Sequence, residues 1–154
     1  MTTATVSDQL KALAKDLSHD YPRSPRETIG GYVLAARALD KCRATLNGTN
    51  GEYHYDCPLD NMFLGFAGIN ADELKAFVAT GASDEQVGEW IQQHAKQKDR
   101  LEVVKWNNSL RYATIKDLPD ALQLFMEDYV PEVVPAGKVV YHFFDVYDIE
   151  EKRI

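Results

Sequence analysis

Residues 21–46 read Y-P-R-S-P-R-E-T-I-G-G-Y-V-L-A-A-R-A-L-D-K-C-R-A-T-L. From Tyr32 onward, Tyr32, Ala35, Leu39, Cys42 and Leu46 recur at 3,4,3,4 spacing, the apolar stripe of an amphipathic helix. Just ahead, Ser24-Pro25-Arg26-Glu27 carries a helix-start pattern: Ser at the cap, Pro at the first position, Glu at the third. Gly30-Gly31 soon interrupts it. A mid-helix glycine costs about 1 kcal/mol against alanine. The pair is therefore expected to make a turn or a close backbone approach, with a helix over 32–46 behind it. Asn47-Gly48 ends that helix, because both residues tolerate the left-handed conformation.

The helical pattern continues on both sides. Leu10, Leu13, Ala14 and Leu17 stripe residues 7–18, with Ser7 as the cap. Pro58 opens a short helix through Leu64. Asn70-Ala71-Asp72-Glu73 and Ser83-Asp84-Glu85-Gln86 are further capping boxes, starting helices to about Thr80 and Lys96. Within the second, Val87, Trp90, Ile91 and His94 form a stripe, Trp90 toward the core and His94 at its edge. Val103, Trp106, Leu110 and Ala113 predict a helix over 99–113. Pro119 starts one carrying Leu122, Phe125, Met126 and Tyr129, which Pro131 and Pro135 end. The tail, residues 138–147, carries two patterns. Its β-branched and aromatic content favours strand, whereas Val139, Phe143 and Val146 fit helical spacing. As a strand it has one available partner, the extended-looking Glu52–Tyr55. The expected architecture is mostly α, a compact single-domain helical fold over residues 1–154, with a small two-stranded β element if the tail pairs.

At 154 residues the chain suits one domain with a sizeable core, and its 45% hydrophobic and 27% charged fractions are those of a soluble globular protein. The net charge of −7 excludes general phosphate-backbone binding, so no nucleic-acid partner is expected. No apolar run reaches the roughly 18 residues of a membrane span. The start M-T-T-A-T-V-S-D-Q-L-K lacks the basic and apolar regions of a signal peptide. A cytoplasmic protein without a membrane partner is expected, its two cysteines free thiols. Homo-oligomerisation stays open.

P-R-S-P-R (22–26), G-G-Y-V (30–33), L-D-K-C-R-A (39–44), N-G-E-Y-H-Y (50–55) and C-P-L-D (57–60) occur in this order. On these motifs the chain resembles a bacterial family of domains of unknown function, DUF5069, over most of its length and most densely from 21 to 68. The resemblance implies a small bacterial domain and carries over no activity and no catalytic residue.

Chemistry-bearing residues crowd the same block. Arg23 and Arg26 flank Ser24-Pro25 ahead of Gly30, Gly31 and Tyr32, where exposed backbone N–H groups at a helix start would favour an anion. Arg37, Asp40 and Arg43 are spaced so that one carboxylate can pair with two guanidiniums. That is either a surface ion-pair ladder or a grip on a carboxylate or phosphate. Tyr53-His54-Tyr55 offers His54 as a proton-transfer group near neutral pH, with Tyr55 beside it. Cys57 precedes Pro58 at a helix start, a setting that activates a thiol, whereas Cys42 lies in the apolar stripe. Cys42, His54 and Cys57 lack the paired knuckle of a zinc site. His142, Asp145 and Asp148 align only if the tail is helical, and Asp16, His19 and Asp20 read as acidic surface. No metal centre and no cofactor is expected.

Two function classes fit these residues. One is a small-molecule enzyme or binding protein whose pocket, walled by 21–31, 32–46 and 52–60, holds a small anionic ligand on Arg23, Arg26 and Arg37. His54, Tyr55 and Cys57 would then be its catalytic candidates. The other is a non-catalytic interaction or regulatory domain in which the same arginines pair with acids inside the fold.

Overall fold

The Gly30-Gly31 pair turns the chain back on itself. Both glycines have positive φ, 62° and 92°, as a two-residue hairpin turn of the I′ kind requires. It joins β1 (Thr28–Ile29) to antiparallel β2 (Tyr32–Val33), with Thr28 opposite Val33 and Ile29 opposite Tyr32. Ser24 N–H still donates to the Glu27 carboxylate, and Ser24 Oγ accepts from Arg26 N–H. Yet no helix follows, because the hairpin claims Thr28 and Ile29 at once.

The computed structural model describes residues 7–154. Met1–Val6, on which the signal-peptide expectation partly rests, lie outside the described residues. The helices are α1 (Asp8–Leu13), α2 (Ala35–Asn47), α3 (Pro58–Ala67), α4 (Ala71–Val78), α5 (Asp84–His94), α6 (Arg100–Arg111), α7 (Asp120–Val133) and α8 (Phe143–Glu150). The fold is thus mostly α with one small two-stranded antiparallel sheet. That sheet is the 28–33 hairpin, not a pairing of the tail with 52–55. Residues 52–55 form an irregular, turn-rich loop, and the tail resolves as helix from Phe143 on.

Local chemistry sets the helix ends. Ser7, Asn70, Ser83 and Asp99 each accept the N–H three residues on, and Ser83 with Gln86 completes a reciprocal capping box. Gly48 and Gly68 close α2 and α3 in the left-handed conformation. Three boundaries differ from expectation. α1 stops at Leu13, where Ala14 turns extended, although Leu17 is still buried. α2 begins at Ala35 because β2 claims Tyr32-Val33. Its cap, Leu34, is held left-handed at φ 70° while its N–H donates to the Pro25 carbonyl. α7 passes through Pro131 and ends at Val133, before Pro135. In that last turn the missing proline N–H removes a single helix bond.

α2 is the centre of the molecule. Every side chain from Ala35 to Ala44 is buried, so the expected division into an apolar and a solvated face does not hold. Tyr32, Phe63, Phe66 and Trp106 pack as an aromatic cluster on one side. Asn107 of α6, 4% exposed, accepts from Val33 N–H and donates to the Gly31 carbonyl, satisfying the hairpin's inner backbone groups. On the other side, a Cβ on Gly30 would lie 3.2 Å from the Gly88 carbonyl oxygen of α5, so the glycine pair makes a close approach as well as a turn. α8 closes the core with Phe143, Phe144, Val146 and Ile149, and Phe143 N–H donates to the Ala113 carbonyl.

Candidate functional site

The arginine block meets carboxylates from the far end of the chain. Arg37, 3% exposed, donates to both oxygens of Glu151 at 2.8 and 2.6 Å. Tyr53 Oη and Arg153 also donate to Glu151. Arg26 spans Asp145 and Asp148 at 2.7 and 2.6 Å. Arg23 donates to Asp40 and Asp84, and Arg43 shares Asp84. Asp40 therefore pairs with Arg23 and Lys15 rather than with its helix neighbours Arg37 and Arg43. The helix-surface ladder suggested by spacing does not form, because the whole of α2 is inside. Among the described residues the anion cradle's arginines have their donors largely committed within the fold.

These pairs set the acid response. Burial works to raise Glu151, but bonds from Arg37, Arg153 and Tyr53 outweigh it and hold its carboxyl below the ordinary value. Asp84 and Asp145 likewise lie low: burial opposes, while Arg23 and Arg43 act on one and the His142 N–H and Arg26 on the other. Glu150 is different. Burial pushes it up, and the Tyr129 hydroxyl bond only partly offsets this. Burial also raises Asp60 against the opposing Lys41. A depressed carboxyl adds stability above its unfolded value and loses it as pH falls through its folded value. Stability contributed by Glu151, Asp84 and Asp145 thus declines as pH drops below the ordinary 4.5 and 3.8. Glu150 has the opposite sign, its contribution present in acid and lost as pH rises through its elevated value. Replacing Glu150 with Gln is therefore expected to raise the melting temperature at pH 7 and to leave it nearly unchanged at pH 4. Melting curves at the two pH values check this, and an equal shift at both contradicts it.

A cavity of about 540 Å³ opens beside the Arg37–Glu151 pair. α2 supplies Arg37 and Lys41. The 52–59 segment supplies Glu52, Tyr53, His54, Cys57 and Leu59. Leu122, Phe125 and Tyr129 come from α7, and Phe143, Tyr147 and Glu150 from α8. Its walls are chiefly aromatic and aliphatic. Arg37 fills one corner, its guanidinium 5.7 and 5.1 Å from the Tyr53 and Tyr147 ring centres, a cation–π geometry.

Cys57 marks the polar end. It is the N-cap of α3, and its sulfur accepts from the Asp60 N–H at 3.5 Å and from Lys41 Nζ at 3.1 Å. Lys41, 3% exposed, also lies 2.8 Å from Asp60 Oδ1, which fixes the ammonium against the sulfur. A helix N-terminus and a held ammonium thus both face that sulfur. Cys42 is the contrast: fully buried in the core, its thiol is pushed up to about 12 by burial.

A family profile described as Domain of unknown function (DUF5069) matches residues 19–153, a span that takes in every wall of this cavity. The chain belongs to this family. No curated protein matches it.

Within this DUF5069 chain the cavity brings together three of the sequence candidates, Arg37, His54 and Cys57. It does not take in Tyr55, whose hydroxyl donates to the Ala71 carbonyl. Arg23, Arg26, Asp40, Arg43 and Gly30-Gly31-Tyr32 also lie outside its lining, and the Tyr32 hydroxyl is bonded to the Gln97 carbonyl. Lys41, Tyr53, Tyr129, Tyr147 and Glu150 escaped the sequence. One signal for the acidic partners was present: Asp145, Asp148 and Glu151 recur every three residues, the complement of the basic block. Among the described residues, no group of three or more His, Cys, Asp or Glu side chains could hold a metal ion. No described helix is long and apolar enough to cross a membrane.

Proposed function

We propose that this protein binds a small molecule in the cavity between α2, the 52–59 segment, α7 and α8, with an apolar body on the aromatic walls and a polar end at Lys41, His54 and Cys57. The observation that carries this is the Lys41–Cys57 contact at 3.1 Å, a buried ammonium held against a thiol at the edge of a chiefly apolar cavity. Protein folds do not bury a lysine without strong reason, and a cavity of this volume suits a small organic ligand. Charge refines the ligand class. Arg37 and Lys41 are already answered by Glu151 and Asp60, whereas Glu52 and Glu150 have no cationic partner among the described residues. The cavity therefore suits a neutral polar head better than the anion the arginine block suggested.

A thermal-shift screen of aliphatic and aromatic amides, esters and acids tests this. A ligand at 100 times its dissociation constant adds about 2.7 kcal/mol, a shift of several degrees for a chain of this size. Leu122→Trp, filling the cavity from α7, is expected to remove the response. Arg23→Ala is expected to lower the melting temperature but keep the response. If no compound shifts the protein, or if Arg23→Ala alone abolishes the shift, the proposal fails.

A second function, self-association, is favoured by one feature. Leu124, Phe125, Val139 and Tyr141, on α7 and the segment after it, are 73%, 52%, 58% and 70% exposed. Sedimentation at micromolar concentration decides it, since a monomer removes its support.

A further inference from the structure

We infer that Cys57 is a nucleophile that takes an acyl group from a neutral acyl thioester, with the acyl chain lying in the aromatic cavity. This rests on the small-molecule site proposed above and names its substrate class. Four independent observations meet here. The sulfur caps a ten-residue helix and carries a lysine ammonium at 3.1 Å. The space beside it, about 540 Å³, is walled by Leu59, Leu122, Phe125, Phe143 and Tyr147, surfaces suited to a hydrocarbon chain. Glu52 and Glu150, which line the cavity without a cationic partner among the described residues, disfavour a free carboxylate and leave an uncharged carbonyl acceptable. Arg37 lines the same cavity at 3% exposure, and its Nε has no acceptor among the described residues.

The chemistry balances without any redox partner. The Cys57 sulfur attacks the carbonyl carbon, a new carbon–sulfur bond forms, and the bond to the leaving sulfur breaks. The Cys57 proton ends on the leaving thiol, so a thiol and a thioester give a thiol and a thioester. As the carbonyl oxygen gains charge, Lys41 Nζ, 3.1 Å from the sulfur, is the donor at hand, beside the N-terminus of α3. A redox cycle is less well served. The second cysteine, Cys42, is fully buried in the core and is not placed to resolve an oxidised Cys57.

The test uses decanoyl and acetyl thioesters of N-acetylcysteamine with the full-length protein, read by intact-protein and peptide mass spectrometry. One decanoyl group is expected on the Cys57 peptide, formed at least about tenfold faster than the acetyl adduct because only the longer chain buries apolar surface. Cys57→Ser abolishes the adduct, and Leu122→Trp brings the decanoyl rate down to the acetyl rate. Decanamide binding to Cys57→Ser, followed by NMR, separates the two levels of the account. If decanamide binds but no adduct forms on the wild type, the acyl-transfer inference is wrong and the pocket stands. If neither occurs, both are wrong. An adduct on Cys42 or a lysine, or equal rates for the two thioesters, also overturns the inference.

Discussion

Replacing Glu151 with alanine is expected to cost this protein roughly 3–5 kcal/mol, the cost of stranding a buried charge. Glu151 is the most committed acid in the fold. Its side chain is fully buried and accepts from Arg37 through both oxygens, from Tyr53 at 2.8 Å and from Arg153 at 2.6 Å. Removing it leaves the Arg37 guanidinium buried beside two tyrosine rings that can offset only about 1–2 kcal/mol. Against a total stability of about 5–15 kcal/mol, that loss removes a large share of what holds the fold together. The double substitution Arg37→Met, Glu151→Leu is expected to recover most of the loss, because an apolar pair incurs no desolvation penalty. Urea unfolding of the two variants checks this. If Glu151→Ala stays within about 1 kcal/mol of wild type, as an exposed ion pair would, the network is not a structural element.

Treating the native protein with iodoacetamide is expected to label Cys57 and spare Cys42. The two thiols differ in everything that governs reactivity. Cys57 is part-exposed at a cavity edge, beside a lysine and at a helix N-terminus. Cys42 is inaccessible, and burial raises its thiol to about 12. It can react only through openings that expose the core, which cost most of the global stability. With about 5 kcal/mol or more for such an opening, Cys42 is labelled at least about a thousandfold more slowly. Native mass spectra should therefore show one adduct, and denatured protein two. Two adducts at similar rates in native buffer would place Cys42 outside the core and undo the core assignment around α2.

Most of the helices were legible because their signals are local. Ser83 with Gln86, Asn70 with Glu73, and Asn47-Gly48 act within one helical turn, so reading them needs no knowledge of the fold. Where local signals misled, a long-range contact had won. Ser24-Pro25-Arg26-Glu27 has the chemistry of a helix start, yet a close approach to Gly88 of α5 fixes the next residues as a hairpin. Arg37, Asp40 and Arg43 have the spacing of a surface ladder, but α2 is buried all round, and their partners come from residues up to 114 positions away.

The site was half legible for the same reason. Cys57 announces itself through Pro58, and His54 by its neighbours. Leu122, Phe125 and Tyr129, by contrast, form the same stripe that any core-facing helix shows. Only the packing of α7 and α8 across the 52–59 segment leaves a space between them, and no periodicity encodes a gap. Lys41 is hidden in another way. In sequence it is one lysine between Asp40 and Cys42. Its meaning comes from burial to 3% exposure and from the sulfur 3.1 Å away.

That the cavity is the ligand site is tested most directly by a two-dimensional NMR titration with decanamide. Methyl and aromatic resonances of Leu59, Leu122, Phe125, Tyr129 and Tyr147 are expected to move together and saturate at one stoichiometric equivalent, while those of Thr28–Val33 stay still. Shifts confined to the Arg23–Val33 region, or no saturable shift at all, would contradict it.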